Sequence, residues 1–268
     1  MADCNCLVVI KGLLRQALYV LFLLSNIVRL QLNCLAEMKP SKVACDLKSC
    51  FLCKLCLTDW LPAVASARKN FDVKKGDVLF NEGDPVLGVY FVYSGNVKVH
   101  KKWGEDKELI IRFVKNGAIL GHRGLGSNLE YPISATVLEA GKVCYFDLDF
   151  FTSTLKVNHD LTYQLLLFYA DELQVSERKM RNLAHMSVKG RIGQALINLS
   201  KQFGFNADGF IDIELSRQDL ASYIGATYET LFRVINELIL DETIAISGKQ
   251  IKVLNQEKLL RLTQDTSL

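Results

Sequence analysis

"LSRQDLASYIGATYETLFRVINELIL", Leu215 to Leu240, holds the pattern that decides the fold. Ser216 with Asp219 three residues later makes a capping box, in which a side-chain oxygen satisfies a backbone N–H left open at a helix start. The short helix it opens stops at Gly225, a residue free to enter the left-handed turn. A second helix begins near Thr227, with Leu231, Val234, Ile235 and Leu238 on one face. Tyr228, Glu229, Phe232, Arg233 and Asn236 occupy the opposite face. Two helices joined by a tight glycine turn form a helix-turn-helix, whose second helix can enter the major groove of DNA. "TIAISGKQIKVL", 243–254, then alternates apolar and polar residues around Ser247-Gly248-Lys249, which reads as a β-hairpin wing.

The competing reading of this end of the chain is a small helical cap on a β protein. Charge does not choose between them, because residues 178–268 carry 12 Lys/Arg against 10 Asp/Glu. Basic residues do gather just before the motif, at Arg178, Lys179, Arg181, Lys189 and Arg191. The order of capping box, glycine turn, polar-faced helix and wing is the more specific signal, and it favours DNA.

Upstream, "DLTYQLLLFYADELQVSERKMRNLA" runs without Gly or Pro, with Asn158 placed as an N-cap. Leu161, Leu165 and Phe168 form one apolar seam; Leu166, Ala170, Leu173, Met180 and Ala184 form another. Two seams exceed what packing on one small module needs, so a partner helix from a second subunit is expected, with packing of both seams on the β module as the alternative. Before this helix, "VLF", "VYFVYSG", "VKVHKKW", "ELIIRFV", "SATVLE" and "KVCYFD" read as short strands. They are punctuated by glycines at turns or close backbone approaches, as in an antiparallel barrel or jelly roll. The expected class is α+β: 61–156 a β-roll sensor, 157–185 a dimerisation helix, 186–268 a winged helix-turn-helix.

Residues 41–60 are cysteine-rich and 1–40 form an apolar leader. The leader is interrupted by Lys11, Arg15 and Arg29, and its longest uninterrupted stretch is too short for a membrane span. Three readings stay open: an extension upstream of a start at Met38, a membrane-surface or packing helix, and a processed signal. The chain has 268 residues, 50% of them hydrophobic and 23% charged, with a net charge of +3, so bulk charge points to no polyanionic partner. Five of the eight cysteines fall between 34 and 56, a crowding that suits metal or redox chemistry in a reducing, cytoplasmic setting better than disulfide staples. His100, His122, His159 and His185 are scattered and no catalytic triad or phosphate loop is apparent, so no enzyme is expected.

From about 61 to 255 the chain resembles the CRP/FNR family of dimeric bacterial transcription regulators. The resemblance rests on "KKGDVLFNEGD", "VYFVYSGNVKVHK", the "ILGHRGL" region, the long helix and "LSRQDLASYIGATYETLFRVI". It implies a β-roll sensor of the cyclic-nucleotide-binding type, a homodimer on palindromic double-stranded DNA, and RNA polymerase as a partner. Within the helix-turn-helix it implies that Glu229 and Arg233 read bases beside Tyr228 and Phe232, and that Arg217, Thr227 and Thr230 hold phosphates. Phe232 departs from the small or hydroxyl residue usual there.

Cyclic-AMP-binding members carry a Gly-Glu pair and an Arg-Ser or Arg-Thr pair. Here the matching stretch, "GHRGLGSNLEYPISAT", keeps Gly121 but has His122 for the Glu and Ile133 before Ser134 for the Arg. A buried phosphate without its guanidinium lacks its strongest contact, so cyclic AMP is not expected. Gly121, His122, Arg123 and Ser134 remain the candidate pocket for another effector. FNR-like members hold an oxygen-labile [4Fe–4S] cluster on N-terminal cysteines and one roll cysteine. Cys50, Cys53 and Cys56 form a C-x2-C-x2-C run of the ferredoxin kind, with Cys144 as the candidate fourth ligand and Cys45 the local alternative. The family has a longer gap before its last N-terminal cysteine. Plain packing, zinc and thiol redox chemistry stay open as alternatives.

Overall fold

The computed structural model describes residues 38–43, 45–104 and 107–264. The leader to residue 37, with Cys4, Cys6 and Cys34, lies outside the described residues. Among those described, no helix is long and apolar enough to cross a membrane.

In chain order, β1 (Lys39–Pro40) is followed by α1 (Phe51–Leu55), α2 (Leu61–Ala67), β2 (Lys69–Val73) and β3 (Val78–Phe80). Next come β4 (Gly88–Trp103), β5 (Lys107–Val114), β6 (Ile119–Leu120) and β7 (Ser134–Asp147). The helices α3 (Leu148–Val157), α4 (His159–His185), α5 (Val188–Phe203), α6 (Arg217–Ile224) and α7 (Tyr228–Leu240) lead to the hairpin β8 (Ile244–Ser247) and β9 (Gln250–Val253), then α8 (Gln256–Leu262). The antiparallel sheet runs β1-β2-β7-β4-β5, with β3 on β7 and β6 on β4. Met38, just before β1, is buried in the roll core.

Four of the expected short strands are halves of two long ones, β4 and β7, which pair along most of their length. Gly95 and Gly141 mark shared corners in these strands. The register shifts around Ser94 and Asn96, and a Cβ at Gly95 would lie 2.6 Å from the Glu139 carbonyl oxygen. A glycine inside a strand permits such a bulge and close approach, so both strands bend together and close the roll.

Side chains alternate across a strand, and here both faces are covered. Tyr90, Val92, Val143 and Tyr145 point into the roll core. Val89, Phe91, Cys144 and Phe146 point outward, into a second core shared with Cys50, Leu52, Cys53, Val64, Phe151, Leu161 and Leu165. Burying each of these large side chains contributes roughly 1.5–3 kcal/mol. That second core fixes the cysteine-bearing segment and the start of α4 against the roll.

The seam of α4 with Leu161, Leu165 and Phe168 packs on the roll. The other seam is open: Leu166 is 63%, Leu173 61% and Met180 66% exposed. Asn158 occupies the N-cap position, but its side chain does not cap α4. Its Oδ1 accepts from Leu57 N at 2.7 Å and from Cys56 Sγ at 3.3 Å, while Nδ2 donates to Thr154 O.

The C-terminal helices enclose their own core, into which β5 contributes Ile110 and Phe113. A polar bridge supports this docking: Lys98 Nζ lies 2.6 Å from Glu108 Oε1 and 2.9 Å from Asp219 Oδ1. Asp219 is the acidic member of the capping box, so the start of α6 is tied to the roll.

Candidate nucleic-acid interface and thiol centre

Each helix of the motif begins on a hydroxyl cap. Ser216 Oγ accepts from Asp219 N at 2.9 Å, and Thr227 Oγ1 accepts from Thr230 N at 3.3 Å. Between them Gly225 adopts φ +65°, and a Cβ there would come 2.6 Å from Leu183 Cδ2 of α4. The turn therefore needs glycine for its backbone conformation, and a Cβ would also oblige the end of the Leu183 side chain to move.

Leu231, Val234, Ile235 and Leu238 are buried, while Tyr228, Glu229, Phe232, Arg233 and Asn236 are exposed. Tyr228 and Phe232 stack one turn apart, with ring centroids at 6.2 Å. Arg233 Nη1 pairs with Glu237 Oε1 at 2.9 Å rather than with Glu229. Such an exposed pair is weakly held, so the guanidinium can turn to another acceptor. Arg217 reaches the wing, donating from Nη2 to Gly248 O at 3.2 Å. Thr227 and Thr230 hydrogen-bond each other through their hydroxyls at 3.1 Å. The wing is a two-residue hairpin, Ser247 pairing with Gln250, with Gly248 at φ +58°.

A second cluster lies on the outer face of the roll. Cys50 caps α1, its Sγ accepting from Cys53 N at 3.3 Å, and Phe51 N binds Gly117 O at 3.0 Å. This places Cys50 and Cys53 over Cys144, which projects outward from β7 beside Phe91. Cys45 closes the group: its thiol interacts with those of Cys144 and Cys53, and Cys50 interacts with Cys53. All are free thiols. Hydrogen bonds from Cys144 and Cys53 draw the negative charge to Cys45 and lower its pKa, helped by Arg68, whose Nη1 lies 3.0 Å from Cys45 Sγ. The same interactions push Cys53 and Cys144 up. Cys56, at the edge of the same cluster, donates to Asn158 Oδ1 at 3.3 Å. Among the described residues no three His, Cys, Asp or Glu side chains are disposed around a single metal ion; the thiols touch one another in a chain. The donor set itself is uniform, four sulfurs in an apolar surround with one guanidinium beside them.

The residues expected around an effector serve internal contacts. Gly121, at φ +82°, is backed by the Tyr131 ring. His122 Nε2 lies 2.9 Å from Glu172 Oε2 on α4, and Arg123 Nε lies 3.0 Å from the same oxygen. Arg112 Nη1 reaches Glu172 Oε1 at 2.5 Å. Ser134 Oγ instead accepts from Glu82 N at 2.9 Å. Aromatic rings pack within the roll core, Phe80 stacking on Tyr131 at 4.1 Å and Tyr90 meeting Tyr145 at 4.9 Å.

Glu172, Arg68 and the bridging role of Asn158 are absent from the sequence reading. Glu172 alone left a trace, since it continues the spacing of Leu161, Leu165 and Phe168 and puts a charge on the buried seam.

A β-roll joined by a long helix to a winged helix-turn-helix defines a class of protein, the DNA-binding transcription regulators. Residues 71–158 match the cyclic nucleotide-binding domain family and residues 190–262 the Crp-like helix-turn-helix domain family. The cAMP-activated global transcriptional regulator CRP of Escherichia coli is 32% identical over 181 residues, 65% of this chain and 84% of that protein. The transcriptional activator protein Anr of Pseudomonas protegens is 29% identical over 226 residues, 80% of this chain and 91% of its own length. FixK2 from Bradyrhizobium japonicum shares the fold, with a TM-score of 0.66 at 22% identity over 75% of this chain and 99% of that one. The chain belongs to the CRP/FNR family of transcription regulators, and it is not an enzyme.

Proposed function

We propose that this chain is a redox- or oxygen-responsive regulator in which Cys45, Cys50, Cys53 and Cys144 hold a [4Fe–4S] group. The observation that carries the reading is the meeting of Cys144 on β7 with three cysteines of the N-terminal segment, on the face where α4 begins. In this reading Cys45, the alternative ligand, is preferred to Cys56, whose thiol donates to Asn158. Cys45 lies in a stretch without helix or strand, and Cys50 caps α1, so the four thiols that would hold the group come from a loop, a helix start and a strand. Such a group, when bound, supplies oxidant-sensitive chemistry. The chain's own residues supply the rest. Arg68 offsets negative charge at Cys45, the apolar surround limits water, and Cys56 and Leu57 pass any movement to Asn158 at the start of α4. Two relatives carry names that agree with this reading, the activator Anr and the anaerobic regulatory protein of Pasteurella multocida, 25% identical over 230 residues.

The open seam of α4 is a dimer interface, which brings two helix-turn-helix units onto inverted half-sites about one helical turn apart. On each, Arg233 and Glu229 read base edges with Tyr228 and Phe232 beside them, and Arg217, Thr227 and Thr230 hold phosphates. Cyclic AMP does not suit this reading: His122 and Arg123 are engaged by Glu172, and neither supplies the Glu and Arg positions of the cyclic-AMP-binding members.

Anaerobic purification followed by a visible spectrum and an iron and sulfide count tests the cluster. Brown protein that bleaches in air is expected, with colour lost in Cys45→Ser and Cys144→Ser and retained in Cys56→Ser. Colourless, iron-free wild-type protein after anaerobic reconstitution would refute the cluster; loss of colour in Cys56→Ser instead of Cys45→Ser would return Cys56 to the ligand set.

A further inference from the structure

The basic residues that precede the helix-turn-helix do not all face outward toward DNA. The fold gathers Arg178, Lys179 and Arg181 of α4 with Arg191 of α5 around a cleft of about 360 Å³, with Arg112 of β5 at its wall. No Asp or Glu lines it. Arg112 is already matched by Glu172, but among the described residues none of the other four makes an ion pair. Like charges held together without a counterion repel, and the cost rises as they leave water.

Two of these cations are held by neutral acceptors alone. Lys179 Nζ donates to Ile110 O at 2.7 Å and Ile111 O at 3.2 Å, and lies 4.2 Å from the centre of the Tyr223 ring. Burial pulls its pKa down to about 8, the response of an ammonium that lacks an anion. Arg191 Nη1 donates to Ile224 O and Gly225 O, at 2.8 and 3.0 Å, leaving its buried Nε without a partner. Arg112 Nε is likewise buried and unpartnered. Guanidinium forks and an ammonium around a half-open cleft suit phosphate oxygens, the forks for paired contacts and the lysine as a point charge.

We propose that this cleft binds a compact phosphate-bearing small molecule, and that its occupancy adjusts the DNA-reading motif. The volume lies near the small end of ligand pockets, which excludes bulky ligands. The coupling is built in, because Arg191 holds the carbonyls of the helix-turn-helix turn and Gly225 packs on Leu183 beside the cleft. An anion that engages Arg191 competes with those carbonyls and alters how the turn rests on α4. The site is separate from the thiol centre and does not depend on a cluster being present.

Calorimetric titration of the full chain with inorganic pyrophosphate at constant ionic strength tests the proposal. Saturable binding is expected, weakened at least about tenfold in the double variant Arg178→Gln, Arg181→Gln, whose exposed helix positions leave the fold intact. Pyrophosphate should also shift the affinity of the wild type for a fixed DNA duplex and leave that of the double variant unchanged. Heats no larger than those from sodium chloride, or equal affinity in the double variant, would overturn it. Complete, strictly competitive displacement of pyrophosphate by a non-specific duplex, rather than the bounded reciprocal shift that coupling gives, would assign the cleft to DNA backbone phosphate and overturn the small-molecule reading.

Discussion

Glu172 lies four residues past Phe168, on the seam of α4 that packs against the roll, where an apolar residue would suit the periodicity. Its carboxylate receives His122, Arg123 and Arg112. Burial opposes its charge, but the His122 hydrogen bond and the two guanidiniums outweigh that and hold its pKa at about 2, against the ordinary 4.5. Burial, aided by Arg112 and Arg123, holds His122 below its usual value despite Glu172. Both shifts act in the same direction. The unfolded chain takes up protons that the folded chain refuses, so stability falls as pH drops below about 6.5 for His122 and further below about 4.5 for Glu172. The Glu172 difference corresponds to about 3 kcal/mol. Glu172→Gln should cost about 3 kcal/mol at neutral pH and make the acid loss shallower, as read from guanidinium unfolding at pH 7, 5 and 4. An acid loss as steep as in the wild type would count against this network. On the DNA face, Arg233→Ala should weaken specific binding by about 1–3 kcal/mol and relax one G·C preference in a selection from random duplexes, whereas Arg217→Ala should weaken all sequences alike. An unchanged consensus for Arg233→Ala would mean the reading head lies elsewhere. The exposed face of α7 was legible because a helix repeats every 3.6 residues; the partners of Glu172 were not, because they come from distant strands.

At the scale of elements, helices and turns were more legible than strands. Capping box, glycine turn and wing all stand where the residue types put them, since each depends on neighbours within a few positions. The strands of the roll were divided too finely, because Gly95 and Gly141 resemble turn residues until the partner backbone against them is known. Cys144 shows the same limit. Alternation along "VCYF" predicts that Cys144 and Phe146 share a face, but not that Cys45, Cys50 and Cys53 cover it. Gly225 supplies the test at this scale. Gly225→Ala forces a Cβ into a left-handed residue and against Leu183, so it should destabilise the fold by at least about 1–2 kcal/mol in chemical unfolding and weaken DNA binding. Gly248→Ala, at a similar positive φ but with open space around it, should cost less. Equal costs would show that contact with α4 is unimportant.

Over the whole molecule, three regions converge on one helix. The cysteine-bearing segment reaches its start through Asn158, the roll grips its middle through Glu172, and the helix-turn-helix rests on its end through Gly225 and Leu183. In the proposed dimer, the helix would link the thiol centre to the spacing of the two helix-turn-helix units. A change at the cysteines should then alter DNA affinity without touching any residue at the DNA. The direct measurement is fluorescence anisotropy of a duplex bearing two inverted half-sites, titrated with anaerobically reconstituted protein before and after exposure to air. Air should weaken binding by at least about tenfold, or roughly 1.4 kcal/mol, and anaerobic Cys45→Ser should already bind like the air-exposed wild type. The same affinity before and after air, with Cys45→Ser binding as the anaerobic wild type does, would contradict the account.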